Sequence, residues 1–440
     1  MADTRTARPT DFPERTEVAI IGAGIAGCAA AYFLAKAGVP VVVLEKGRIA
    51  GEQSSRNWGW VRKQGRDPRE LPAIIESLKI WPTLEQEVEA DIGWKQAGVT
   101  YVATTQAQMA RFEEWLGFAK PYQLDSRLLN PKETDEMLGA SGERTLGALH
   151  TPSDGRAEPA KAVPAIAKAI ERLGGRVIEG CAVRTLDIEA GRVTGVVTEH
   201  GRIAASSVLC AAGAWSSLFN RNLGITLPQL RVRSSVMRTK PAPLVTESAT
   251  WCGEFAFRRR QDGGYTIAGD GGSTFEIVPD AFRFFRPFFN ALKMSRKDLR
   301  IRISGEFFRQ LATPKRWGPD DVTPFERSRV LDPEPDAGVL AKALAAARAT
   351  LPDFADLQME ESWAGMIDVT PDVIPVLCAV DRPKGYYVAT GFSGHGFGLG
   401  PGAGLLMSEL IMKGEARVDL SAFRLGRFFD GTKMTPYAPI

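Results

Sequence analysis

EVAIIGAGIAGCAAAYFLAKAGVPVVVLEK, residues 17–46, reads as strand, tight turn, helix, turn, strand. Val18 to Ile21 is an apolar run of strand length, and Gly22, Gly24 and Gly27 follow it as GxGxxG. The Ala-rich stretch from Cys28 to Lys36 suits a buried helix, Gly38 stops it, and Val41 to Leu44 predicts a second buried strand ending at Glu45. Each part serves the binding of a dinucleotide. Gly22 turns the backbone off the strand, Gly24 lets a pyrophosphate approach, and Gly27 lets helix and strand pack closely. The turn Gly22, Gly24, Ile25, Ala26, Gly27 leaves free N–H groups at the positive end of the helix for phosphates. Glu45, with Lys46 beside it, stands where ribose hydroxyls are recognised. A lone GxGxxG is a weak signal; here strand, helix, second strand and terminal acid coincide.

The rest of the chain bounds the class. It has 440 residues, 44% hydrophobic and 24% charged, an ordinary globular composition with material for two or three domains. A net charge of +3 is too small to imply nucleic acid. The five cysteines (Cys28, Cys181, Cys210, Cys252, Cys378) are far apart and form no CxxC pair. Three histidines, none spaced with them like ligands, give no metal site. The polar, Pro-containing residues 1–14 have no apolar core of a secretory signal and read as a loose tail. The expected localisation is cytoplasmic.

After Glu45 comes KGRIAGEQSSRNWGWVRKQG, a loop entering a helix, where Ser54, Ser55 and Asn57 offer caps and donors to a phosphate or ring. Further helices are predicted from Leu71, from Gln106, from Pro159 and over Gly338 to Thr350. A hairpin is expected around Glu189 to Arg192, and a strand running into AAGAWS, residues 211–216. Leu230–Thr239, Glu254–Arg260 and Tyr265–Gly269 alternate like antiparallel strands. In the aromatic and basic segment 280–308, Phe282, Phe285, Phe289 and Leu292 fall on one helical face, broken by Pro287. A core-facing helix is the favoured reading there, over a membrane- or quinone-docking patch.

GAGIAG with Glu45, AAGAWS, WAG…D-x-TPD-x-xPV and GFSGHGFGLGP together resemble the D-amino-acid oxidase family of FAD enzymes, in the right chain order. The resemblance implies an α/β, two-domain architecture. A discontinuous Rossmann-like FAD domain (15–80, 145–222, 338–428) joins a substrate domain on a mostly antiparallel sheet (81–144, 223–337). Val183 would meet the adenine side; Ala212, Gly213 and Trp215 would line the cofactor. Gly391, Ser393, Gly394, His395 and Gly396 would lie by the flavin ring, their glycine-rich turn forming a nest of backbone donors. Some members attach flavin to a cysteine just before TPD, where this chain has Gly365, or to a histidine in the early loop, where it has none. The FAD is therefore expected to be non-covalent.

The implied reaction is oxidation of the amine C–N bond in an amino acid or N-substituted amino acid. Hydride passes to flavin N5, and the imine is hydrolysed. Relatives of the sarcosine-oxidase type grip the substrate carboxylate with an early-loop arginine, matched by Arg62, and a lysine, replaced here by Gly398. Arg233 or Arg258 is expected to supply the second contact, with His395 as a positional residue near the substrate. Ile267, by rough register, takes the place of an oxygen-activating lysine. That tilts the expectation from oxidase (O₂ as acceptor) to dehydrogenase (a quinone or electron carrier). Two readings compete: an NAD(P)H-using flavin hydroxylase or reductase, though no second GxGxxG is present, and a flavin subunit of an electron-transfer complex. Ala268-Gly269-Asp270-Gly271 imitates a hydroxylase motif but reads as a strand end and turn.

Overall fold

The apolar run at the start is a strand, β1 (Val18–Ile21), buried along its whole length. The computed structural model describes residues 12–139, 145–269, 273–294 and 299–437. β1 pairs in parallel with β2 (Val41–Leu44) on one side and with Ser207–Cys210 on the other. Arg176–Ile178 extends the sheet beyond β2, and Tyr386–Thr390 extends it beyond Ser207–Cys210. Val376–Ala379 closes that edge antiparallel, making six strands. This is a Rossmann-like α/β sheet. Strands buried on both faces need near-continuous apolar runs, and VAII and VVVL provide them.

α1 (Ile25–Lys36) packs on this sheet together with the helix Gly396–Lys413. Gly400 and Gly404 make the close approach: side chains there would collide with Ile25 and with the backbone at Ala29 and Ala30. A small antiparallel meander (Val183–Glu189, Arg192–Thr198, Gly201–Ala204) contains the expected hairpin, with Ala190 and Gly191 both at positive φ in its turn.

The second layer is a ten-stranded, mostly antiparallel sheet. Its spine is the pair Leu230–Thr239 and Met359–Val369, in register along nearly their whole length. The structure departs from the expected domain boundaries in three places. The spine strand Met359–Val369 itself falls within the stretch 338–428 expected for the nucleotide-binding domain. Gly147–Thr151 pairs with Val99–Ala103 in this sheet, not with the nucleotide-binding one. The helix Ala337–Thr350 also packs here. Its Leu340, Ala343 and Ala347 share a core with Phe255, Phe257, Tyr265 and Ile267. A helix joins whichever sheet offers an apolar face, and its own sequence does not name that sheet.

Two more expectations are corrected. Residues 12–14 are not loose: Phe12 is buried in the core beneath the meander, and the Glu14 carbonyl accepts the Ala204 N–H. Residues 1–11 lie outside the described part. The aromatic segment forms two helices, Pro279–Arg283 and Phe285–Met294, that meet at Phe284 and do not break at Pro287. Phe284 and Phe288 face the core, while Phe282, Phe285 and Phe289 are exposed. Gly269 ends its strand as expected, and Asp270 and Gly271 lie outside the described residues.

Candidate active site

A cleft of about 1180 Å³, open mouth included, runs along the C-terminal ends of the parallel strands. Gly22, Gly24, Ile25, Ala26, Glu45, Lys46, Ser54, Asn57, Val183, Ala212, Gly213, Trp215, Gly394 and Gly396 all line it. Gly22 takes φ of +104°, and a Cβ there would lie 2.6 Å from the Ala211 carbonyl oxygen. Gly24 caps α1 with no side chain of its own. The first free N–H of the helix, Ile25, instead donates to Ser54 Oγ at 2.9 Å. The Glu45 carboxylate accepts the N–H groups of Ala23 (2.9 Å) and Gly47 (2.7 Å). Burial raises its pKa, and those two donors oppose the rise.

Other expected cofactor residues shape the cleft without lining it. Gly27 packs on the Gly22 carbonyl, where any Cβ would collide. Ser55 Oγ donates to the Glu52 carbonyl. Gly391 and Ser393 are tied to Asp368: its Oδ2 accepts Gly391 N–H at 2.7 Å and its carbonyl accepts Ser393 N–H at 2.9 Å. Burial raises the Asp368 pKa. Ser393 itself is held at φ +52°, which sharpens the turn.

The sequence reading missed Glu52, Gln53, Phe325, Met366 and Asp368, all of which line the cleft. Glu52 organises one end. Its carboxylate accepts from Lys46 Nζ (2.7 Å), Trp215 Nε1 (3.0 Å) and the Leu331 N–H (3.0 Å). Two cations pack on the Trp215 ring, Lys46 Nζ and the Arg231 guanidinium each 4.6 Å from its centre. Asp368 carried a signal, since it is the first acid of D-x-TPD; Phe325 came from a Pro-rich connector with none.

The cleft fits a dinucleotide cofactor. Its glycine cradle would be filled by any Cβ, and Gln53 Oε1 is buried in its wall with no hydrogen-bond partner. Gly365 leaves room for that amide, because a side chain there would strike Gln53 Oε1.

At the glycine-rich end, Gly398 packs against the strand Trp60–Val61 and the Arg62 backbone. A lysine there would meet Trp60 O and Val61 Cα at 3.2 Å from its Cβ. Arg62 follows, with its guanidinium 5.6 Å from the Tyr101 ring and a hydrogen bond to the Gln64 carbonyl. Trp60 and Trp251 flank Tyr101, at 6.2 and 5.9 Å between ring centres. Arg66 lies beside Arg62, buried, with its Nη1 unpartnered. Burial, then the neighbouring Arg62 charge, lowers Arg66 to about 9, so it stays cationic at neutral pH. Among the described residues neither arginine forms an ion pair. The buried carboxylate of Glu70 accepts from His395 Nδ1 at 3.1 Å.

Burial and then the Arg66 charge push His395 down to about 4, so the ring is neutral at pH 7. Burial alone would raise Glu70, but His395, Arg66 and Arg62 outweigh it and keep the carboxylate ionised. Nδ1–H therefore donates, and Nε2 keeps its lone pair. The sign of the linkage follows: between pH 6.5 and about 4 the unfolded chain takes up a proton that the folded imidazole refuses. Stability should be full above pH 6.5 and fall by ~2 kcal/mol towards pH 4.5. Urea unfolding across that range checks it, and His395→Gln should flatten the slope.

Arg62 and His395 are thus brought together, while Arg233 and Arg258 are not. Arg258 is fully buried and forks onto Glu158 at 2.8 and 2.9 Å, with Nε donating to the Trp58 carbonyl. It ties the two sheets' loops together. Arg258→Ala should cost ~3–5 kcal/mol by leaving Glu158 buried and unpaired, and Arg258→Ala with Glu158→Gln should recover part of that in urea unfolding. Arg233 donates to the Glu334 carbonyl and faces Glu276 at 3.8 Å. Ile267 is fully buried under the helix Ala337–Thr350, away from the cleft, and carries no argument about the electron acceptor.

Known proteins resemble the chain along its length. It is 25% identical over 425 residues to mitochondrial sarcosine dehydrogenase of Mus musculus, covering 95% of this chain and 42% of that protein. The chain thus spans under half the length of that relative. It is 26% identical to glycine oxidase of Geobacillus kaustophilus, covering 94% of this chain and 97% of that one. Among solved structures, an L-amino acid deaminase from Proteus myxofaciens in complex with anthranilate superposes with a TM-score of 0.92 at 27% identity, covering 96% of each chain. The family model for DAO, FAD dependent oxidoreductase, matches residues 17–410, and the chain belongs to that family, with FAD as its cofactor.

Proposed function

We propose that the protein oxidises the amine C–N bond of an amino acid or an N-substituted amino acid. The observation that carries this reading is the pair Arg62 and Arg66. Two buried or half-buried guanidiniums share one ionised carboxylate, Glu70, and form no direct ion pair among the described residues, so a positive charge is left for an anion, and a substrate carboxylate supplies one. Trp60, Tyr101 and Trp251 would wall the apolar part of that substrate. The names of the relatives support the substrate class: sarcosine, glycine and L-amino acids all carry a carboxylate on the carbon beside the amine.

The six-stranded sheet would hold the cofactor and the ten-stranded sheet the substrate. Glu45 would accept from the ribose, the N-terminus of α1 and Ser54 would face the pyrophosphate, and Gly394 and Gly396 would meet the flavin ring. With Gly365 where an attachment cysteine would stand, the cofactor would be held without a covalent bond. FAD, when bound, supplies the two-electron oxidant for hydride leaving the carbon beside nitrogen. Arg62 orients that carbon by fixing the carboxylate next to it. His395, neutral and pinned by Glu70, positions the glycine-rich turn and leaves proton transfer to the substrate amine and water.

The test is an anaerobic titration of the FAD-loaded protein with L-, D- and N-alkyl amino acids. Bleaching of the flavin band near ~450 nm supports the reading and names the substrate. If NAD(P)H bleaches it and no amine does, the hydroxylase or reductase reading replaces this one. The rate at which air restores the colour separates an oxidase from a dehydrogenase feeding another carrier.

A further inference from the structure

We propose that the face built by residues 279–294 and 299–311 docks the protein on an anionic lipid bilayer. The helices Pro279–Arg283 and Phe285–Met294 carry two apolar stripes. Phe284, Phe288 and Ala291 bury against Leu230 and Val278. Beside that stripe Phe282, Phe285 and Phe289 face outward, with Phe282 68% exposed. An ordinary surface helix has one apolar stripe and a polar opposite face. The exposure continues onto Ile301 and Ile303, the latter 83% exposed, in and after the strand Leu299–Arg302 that forms the outer edge of the ten-stranded sheet. It ends on Phe308, 69% exposed, in the helix Glu306–Ala312, which is joined to the first helix by an edge contact of Phe307 with Phe282. A cluster of this kind marks an interaction surface, since isolated exposed apolar residues are common but contiguous ones are not.

Charge selects the partner. Residues 279–294 and 299–317 hold eight Lys or Arg against two Asp or Glu, in a chain whose net charge is only +3. Everything outside this segment is therefore slightly acidic, and the positive charge is gathered around the protruding rings. Arg286, Lys293 and Arg302 form no ion pair among the described residues. A second copy of the chain would bring two such positive faces together, which repulsion opposes. An anionic bilayer offers both matching halves: acyl chains for the rings and headgroups for the cations. Among the described residues no helix is long and apolar enough to cross a membrane. The contact is with the surface of one leaflet.

The test is co-sedimentation of the FAD-loaded protein with vesicles. The expected result is pelleting with equimolar phosphatidylglycerol and phosphatidylcholine, and several-fold less with phosphatidylcholine alone or in high salt. The triple variant Phe282→Ser, Phe285→Ser, Phe289→Ser should partition about tenfold more weakly. Its flavin content and melting temperature should match the parent, because those rings are exposed. The proposal is overturned if the parent stays in the supernatant with the anionic vesicles, or if the triple variant pellets equally. It is also overturned if the parent is a dimer that the variant dissolves and vesicles do not compete with, which would make a second copy the occupant.

Discussion

Arg62→Ala is expected to lower kcat/KM for the amino acid substrate by about 10³-fold while leaving bound FAD at parent levels. Arg62 stands over Tyr101, and among the described residues its guanidinium is hydrogen-bonded only to the Gln64 carbonyl, so removing it empties an anion site and leaves the fold's ion pairs intact. A lost charge-assisted fork to a carboxylate is worth ~3–5 kcal/mol, which corresponds to that factor. Arg62→Lys keeps the charge and loses the planar fork, so an intermediate loss of about 10–100-fold is expected. The diagnostic is the substrate's own carboxylate. The parent should reject an amino acid amide, and Arg62→Ala should treat acid and amide nearly alike. A loss of less than about threefold would remove Arg62 from the substrate site.

Gly27→Ala should cost the protein its cofactor. A single methyl there would overlap the Gly22 carbonyl and reach 3.3 Å from the Ala211 side chain. The first of these is backbone and cannot rotate away, so α1 must shift off β1. That shift breaks the Ile25 N–H bond to Ser54 and moves the helix N-terminus that lines the cleft. FAD affinity is expected to fall by about 100-fold or more, and stability by ~1–3 kcal/mol. The absorbance ratio of the purified protein and a denaturation curve read the two effects. Gly117→Ala is the control: it sits in the helix Gln106–Ala119, outside the cleft lining, and its Cβ would meet nothing within 4 Å. Stoichiometric FAD in Gly27→Ala would contradict the argument.

Much of the site was legible because its residues are local in sequence. β1, α1, β2 and Glu45 fall within thirty consecutive residues, and their chemistry is that of one turn. The Gly391–Gly396 turn was legible for the same reason, though Gly391 and Ser393 serve as its frame and not its lining. Arg258 was misread because a buried ion pair and a substrate clamp use the same side chain. Only Glu158, one hundred residues away, distinguishes them. Arg66 and Glu70 were passed over because solvated charge is the ordinary fate of such residues, and the partners that meet them in the interior, Trp115 at the Arg66 carbonyl and His395 at Glu70, are far along the chain.

The sequence by itself determined the strand–glycine–helix unit, the cofactor class and the alternation of the second sheet. These depend on periodicity and turn chemistry, which act between near neighbours. Tertiary structure alone decided which sheet claimed Gly147–Thr151 and Ala337–Thr350, which arginine was spent in the core, and which aromatic stripe of 279–294 was left in water. Each of those is a choice among partners distant in the chain. Packing and desolvation settle such choices only when the whole surface has been assembled.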